Sequence, residues 1–259
     1  MIALLNRLYR TIFFRGGYGV HSPFVFDLIR TVIEERKHYY CYEQLHSVRL
    51  QLLNRSGKVT YYHRACTIDK ILRKYCFTER EYRLLFRLAN RFHPKTIYVA
   101  GSDFGLTPLY LTAYAKDSVC VVIEPELSIA AIANEYLTKY ALASVDLRNN
   151  ITDIPDQLDF VVWGNSFTSF PSDKRTCKSS SQNSLCENFS SDNFERFLSH
   201  INDESVMVIS GIHASPENHE TWKSICSHSK VTVTIDLYRL GIVFFNSKLH
   251  RKTYKSVAF

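Results

Sequence analysis

The sequence predicts an α/β fold: a doubly wound sheet of seven strands closed by a C-terminal antiparallel hairpin and preceded by a helical region. Three observations carry this expectation. From residue 95 onward, short apolar runs alternate with helix-length amphipathic stretches. The stretch TIYVAGSDFGLTPLYLTAYAKDSVCVVIEPE, Thr96 to Glu126, reads as strand, glycine turn, short helix and second strand ending on an acid, the form of a nucleotide half-site. Two apolar runs hinged near Arg239 to Gly241, in VTVTIDLYRLGIVFFN, give the closing hairpin.

At the front, Ile2, Leu5, Tyr9 and Ile12 mark an amphipathic helix suited either to a membrane surface or to packing on its own domain. Glycines 16, 17 and 19 break it, and Ser22-Pro23 caps the next helix, SPFVFDLIRTVIEER. His21, just before that cap, reads as a turn residue bonded to local backbone. A third helix covers Glu43 to Leu53, followed by a polar linker from Asn54 to Gly57. Thr78 and Glu81 form a capping box ahead of a helix whose buried face is Tyr82, Leu85, Phe86, Ala89 and Phe92, and Pro94 ends it.

Ile97 to Ala100 is then a strand buried on both faces. Gly101 and Gly105 let the backbone turn sharply and approach a ligand. Thr107-Pro108 reads as N-cap and first helical position, a terminus that favours an anionic group. Ser118 to Ile123 is the second strand, and Glu124 at its end suits a ribose diol. The dinucleotide pattern G-x-G-x-x-G is absent, which argues against an NAD enzyme.

Downstream, SIAAIANEYLTKYAL is a helix, SVDLRN a third strand and LDFVVW a fourth. Residues 172–192 are rich in serine and lysine without apolar period and read as a mobile loop, either closing over a substrate or inserted at the surface. A helix burying Phe194, Phe197 and Leu198, a core strand SVMVI and a helix opened by Ser215-Pro216 lead into the hairpin.

With 259 residues, 46% of them hydrophobic, the chain can bury a substantial core. We divide it into a basic helical region, 1–94, and an α/β domain, 95–259. No apolar run reaches the roughly 20 residues a membrane span needs, and Asn6, Arg7 and Arg10 interrupt any signal-peptide core. The seven cysteines include no C-x-x-C pair, so reduced thiols in a cytoplasmic protein are expected. Cys177 and Cys186 flank a polar loop but nothing nearby completes a metal site. Residues 1–95 carry 18 Lys+Arg against 7 Asp+Glu, and residues 96–259 carry 14 against 18. That asymmetry fits RNA or an anionic membrane as partner, or merely solvated helix faces, which the helical spacing favours. A homodimer is left open.

The sequence as a whole resembles the class I S-adenosylmethionine-dependent methyltransferases, in particular the branch similar to catechol-type O-methyltransferases, whose sheet is Rossmann-like. That family's first turn reads like E-L-G-T-S-x-G-x-S-T, and Val99 to Pro108 aligns with it. The resemblance implies S-adenosyl-L-methionine as cofactor, held by Gly101, Ser102, Asp103, Gly105, Thr107 and Glu124. The acid usually found two positions before the first glycine is Val99 here. The front segment GYGVHSPFVFDLI and the terminal pattern resemble a bacterial subgroup of methyltransferase-like proteins of unknown substrate, so the likeness spans nearly the whole chain. Metal-dependent members carry acids after the fourth and fifth strands. Here those places hold Trp163, Gly164 and Asn165, then Ser210 and Gly211, so no catalytic metal is expected.

The resemblance thus implies a metal-independent methyltransferase with an unknown acceptor. His213, just past the fifth strand, is a candidate base, with an exposed or supporting histidine as the alternative. Asp159, opening the fourth strand, is a second candidate, or a local pairing partner. The competing reading is a non-catalytic relative whose basic helices engage RNA or a membrane surface.

Overall fold

The computed structural model describes residues 14–61, 64–150, 154–164 and 191–257. The expected first helix, Asn165, Cys177, Cys186 and nearly all of the serine-rich stretch lie outside the described residues.

Helix α1 (Pro23–Leu28) starts as expected, with Ser22 accepting from Val25 N and Pro23 in the first turn. It continues as a π-turn over Ile29–Ile33. The buried Arg87 side chain ends that turn by donating to the carbonyls of Val32 and Ile33 at 2.7 and 3.3 Å. Helix α2 (Cys41–Leu53) follows. Residues beyond the polar linker, which show no clear period, fold as a small antiparallel hairpin, β1 (Lys58–Tyr61) and β2 (Arg64–Thr67), and a short helix α3 (Ile68–Lys74). Helix α4 (Glu79–Phe92) opens on the complete Thr78/Glu81 capping box.

Among the described residues the main sheet has eight strands: β3 (Thr96–Ala100), β4 (Val119–Ile123), β5 (Ser144–Arg148), β6 (Leu158–Trp163), β7 (Ile201–Ser210), β8 (Val233–Asp236), β9 (Leu240–Phe244) and β10 (Lys252–Lys255). Their order is β5-β4-β3-β6-β7-β9-β8-β10. Only β9 runs against its neighbours, as the predicted hairpin requires. The seven expected strands are present, and β10 extends the edge by pairing parallel to β8.

Alternation along the strands divides the core into two layers. Ile97, Val99, Cys120, Val122, Phe160, Val162, Val206 and Val208 face one side, in a single cluster with α1 to α4, α5 (Leu106–Thr112) and α6 (Leu127–Tyr140). Tyr98, Ala100, Val121, Val161, Trp163, Met207 and Ile209 face the other, against α7 (Ser191–Leu198) and α8 (Pro216–Ser227). The front segment therefore shares a continuous core with the sheet. Some of its cations are also neutralised within the chain: Arg55, Arg83 and Arg91 pair with Glu135, Glu79 and Asp27. Among the described residues no helix is long and apolar enough to cross a membrane.

The chain passes from β3 to β4 and β5 on one side, then returns to β6 on the other side of β3. This places a topological switch point at the C-terminal end of β3, where open α/β sheets form their ligand crevice.

Candidate functional site

The turn after β3 occupies that switch point. Gly101, Asp103, Phe104 and Gly105 take φ values of 95°, 50°, 60° and 92°, all in the left-handed region. Two of these residues have side chains, and such conformations cost about 1–2 kcal/mol per non-glycine residue. Hydrogen bonds hold the strained turn from both sides. Gly101 N donates to Ile123 O at 2.9 Å, and Gly105 N donates to Ser102 O at 2.9 Å. A Cβ on Gly105 would lie 3.2 Å from Ala133 O, so α6 packs directly on the turn. The helix begins two residues earlier than expected: Gly105 is the N-cap of α5, and Thr107 lies inside its first turn.

Two carboxylates anchor the turn. Glu124 Oε2 accepts from Ser102 N at 3.1 Å and from Ser102 Oγ at 2.7 Å, while Oε1 accepts from Glu126 N at 3.2 Å. Asp103 Oδ2 accepts from the Tyr82 hydroxyl at 2.9 Å, the Thr107 hydroxyl at 3.1 Å and Phe77 N at 3.3 Å. Asp103 Oδ1 is buried without a hydrogen-bond partner. The two residues are only 3% and 4% exposed, Asp103 and Glu124 respectively. Burial pushes the Asp103 carboxyl up to about 6 and the Glu124 carboxyl up to about 7, against hydrogen bonds that pull the other way. Burial likewise raises the Cys76 thiol and the Tyr82 hydroxyl beside them, and the charge of Asp103 adds to both shifts.

His213 follows β7 on the same edge of the sheet. Its Nε2 lies 2.8 Å from Asp236 Oδ2, at the end of β8. Asp236 Oδ1 in turn accepts from Tyr238 N at 2.7 Å, and Tyr238 sits at φ 73°. The His213 ring lies between Tyr238, with centroids 5.3 Å apart, and His219, 4.8 Å away. From the same hairpin turn, Arg239 Nε pairs with Glu81 Oε1 at 2.8 Å. The Glu81 carboxylate also closes the α4 capping box, and the next residue, Tyr82, bonds Asp103. A short run of polar contacts thus links the hairpin turn to the turn after β3.

The six residues expected around the cofactor, Gly101, Ser102, Asp103, Gly105, Thr107 and Glu124, come together in space. Asp159 does not join them. It lies at the start of β6, where Oδ2 accepts from Lys95 N at 2.8 Å and Thr96 N at 2.9 Å. At ~3.3 Å per residue, it is roughly 13 Å along the strand from Trp163 at the ligand edge. Asp159 pairs locally with the backbone at the start of β3, as the alternative reading of this residue expected. Asp236 was missed, although it ends the apolar run VTVTID much as Glu124 ends VCVVI. Phe77 and Tyr82 were missed because nothing in the local pattern brings their segments to the turn.

No family model matches the chain, and comparison with curated proteins finds no relative. Among solved structures, it resembles an SAH-bound methyltransferase from Podospora anserina, with a TM-score of 0.50 and 10% identity over 82% of this chain and 99% of that one. It also resembles an O-methyltransferase from Bacillus cereus in complex with SAH, with a TM-score of 0.50 and 11% identity over 80% and 92% of the two chains. At such identities the likeness is one of fold.

Proposed function

We propose that this chain, whose fold is that of the class I S-adenosylmethionine-dependent methyltransferases, binds S-adenosylmethionine at the turn after β3 and transfers a methyl group without a divalent metal. The observation that carries the reading is the convergence of Glu124 and Asp103 at the switch point, buried, with Asp103 Oδ1 unpartnered. An orphaned buried acceptor is costly unless a ligand donor meets it. The residues fit the cofactor, because a ligand with a ribose diol and positive charge offers donors and cations to these carboxylates. Bound there, S-adenosylmethionine supplies an already electrophilic methyl group.

What remains for the protein is binding and alignment. Glu124 Oε1 accepts one hydrogen bond from Glu126 N, which leaves it a lone pair for a hydroxyl. Gly101 and Gly105 carry no side chain to obstruct the turn. Ser102 and Thr107 act indirectly, holding Glu124 and Asp103 in place. On the acceptor side, His213 is the proposed base. With Nε2–H donating to Asp236, its Nδ1 carries the lone pair that takes a proton from an O–H or N–H acceptor. The ends of β6 and β7 carry Trp163-Gly164 and Ser210-Gly211, groups ill suited to the carboxylate shell of a hard cation. This supports the metal-free part of the proposal.

Isothermal titration with S-adenosylmethionine tests the reading, and saturable one-to-one binding is expected. Absence of heat and of competition at millimolar cofactor would sink it. Glu124→Ala should weaken the affinity by about 1.5–3 kcal/mol, the range for hydrogen bonds to a charged group. An unchanged affinity would reject Glu124 as a cofactor ligand.

A further inference from the structure

The bond to Asp236 fixes the Nε2 corner of the His213 ring, 2.8 Å away, but a ring held at one corner can still swing about that bond. Stacking fixes its plane. The Tyr238 ring lies 5.3 Å from the imidazole with planes 20° apart, and His219 approaches the same ring at 4.8 Å and 34°.

Tyr238 reaches that place through a strained turn between β8 and β9. Arg239 N donates to Leu237 O at 3.0 Å, closing a three-residue γ-turn with Tyr238 at its centre, and φ there is 73°. Glycine, asparagine or aspartate makes such a hairpin turn with far less strain. A tyrosine in that position is therefore explained by what its ring touches rather than by the turn itself. The carboxylate that holds His213 also holds this residue. Asp236 Oδ1 accepts from Tyr238 N at 2.7 Å while Oδ2 meets the imidazole. Arg239 fastens the turn on two further sides. Its carbonyl accepts from Gly211 N at 2.7 Å, two residues before His213, and its side chain pairs at 2.8 Å with Glu81 on α4. The buried Glu81 carboxylate is held in turn by Thr78 N and Oγ, at 2.7 and 2.8 Å.

We infer that Tyr238 is a positioning residue for the base proposed above. The strained turn sets its ring against His213, so that the imidazole keeps one plane and, against Asp236, one tautomer, with the proton on Nε2 and the lone pair on Nδ1. Arg239 keeps the turn in register with the loop that carries His213. Tyr238 acts through His213, and its role rests on His213 being the base.

Long-range proton–nitrogen NMR spectra of the full chain in mildly alkaline solution test the inference, the His213 signals being identified by their loss in His213→Gln. The intact protein should show His213 in one tautomer, protonated on Nε2. Tyr238→Ala should move both ring nitrogens toward the values of free histidine, whose tautomers interconvert, and Tyr238→Phe should keep the intact values. Arg239→Met should move them the same way by a smaller amount, and Arg239→Lys should recover part of that shift. A mixture of tautomers in the intact protein overturns the inference. So do unmoved nitrogens in a folded Tyr238→Ala protein. Should that variant not fold, unmoved nitrogens in Arg239→Met, whose side chain is 57% exposed, overturn it in the same way. Calorimetry of the intact protein with S-adenosylmethionine is read separately: no binding removes the cofactor reading, while the nitrogen spectra still decide whether Tyr238 positions His213.

Discussion

Glu124 and Asp159 do the same chemistry at opposite ends of one sheet. Each carboxylate gathers hydrogen bonds from the neighbouring strand β3: Glu124 from Ser102 just past its end, Asp159 from Lys95 and Thr96 at its beginning. Asp159 is half-buried at the rim where β3 begins, and it ties β6 to that strand. Glu124 is buried, and burial lifts its carboxyl to about 7. The difference lies in solvent access rather than in bonding. A carboxylate that water can reach serves as a clip, whereas one removed from water stores unfavourable free energy that a ligand can relieve.

The largest expected effect tests whether the ligand end is braced as tightly as its contacts indicate. Gly105→Ala forces a side chain into φ 92° and against Ala133 O, and should destabilise the fold by roughly 4 kcal/mol in urea unfolding. A loss below about 1 kcal/mol would mean that α6 yields and the turn is not braced by it.

Next comes pH. The folded Glu124 carboxyl, at about 7 against an ordinary 4.5, keeps its proton where the unfolded chain has lost it. Stability should therefore fall as pH rises from about 4.5 to 7, by on the order of 3 kcal/mol for this residue. Asp103, raised to about 6, adds a fall of the same sign beginning near its ordinary 3.8. Urea midpoints at pH 5, 6 and 7 should show a shallower slope in Glu124→Gln than in the unaltered protein. Equal slopes in the two proteins would mean that the buried end of the sheet stores no such free energy.

Asp159→Ala should cost about 1–2 kcal/mol of stability by leaving two backbone donors without their acceptor. It should not change the affinity for S-adenosylmethionine, measured by calorimetry, and a loss like that of Glu124→Ala would break the comparison. The smallest effect belongs to the exposed Arg91–Asp27 pair. Arg91→Ala should shift the urea midpoint by less than the equivalent of about 0.5 kcal/mol, because solvent screens such pairs.

Most of the sheet was legible in the sequence because its central strands are buried on both faces and read as continuous apolar runs. VCVVI and LDFVVW leave little alternative. Strand β10, KTYK, lies at an edge with only Tyr254 buried, so its residues show no apolar signal. The β1–β2 hairpin is hidden for the same reason: β2, RACT, has no fully buried residue. In the site, the glycines and Glu124 were legible because local chain geometry dictates them. The helix start was misplaced because Thr107, a good cap by type, is engaged by Asp103 instead. Tyr82 reaches the turn only through packing between separate elements, and no local spacing encodes that.

The polar link from Arg239 to Glu81 bears on where this chain can be cut. A division before residue 95 follows the composition, but Phe77 and Tyr82 support Asp103 from the other side of that boundary, and Glu81 holds the hairpin turn beside His213. A fragment beginning at the first strand of the sheet would retain the glycines and lose their scaffold. A piece able to keep the turn in shape must include Phe77 and Tyr82, so helix α4 is better regarded as a wall of the turn than as an attachment to it.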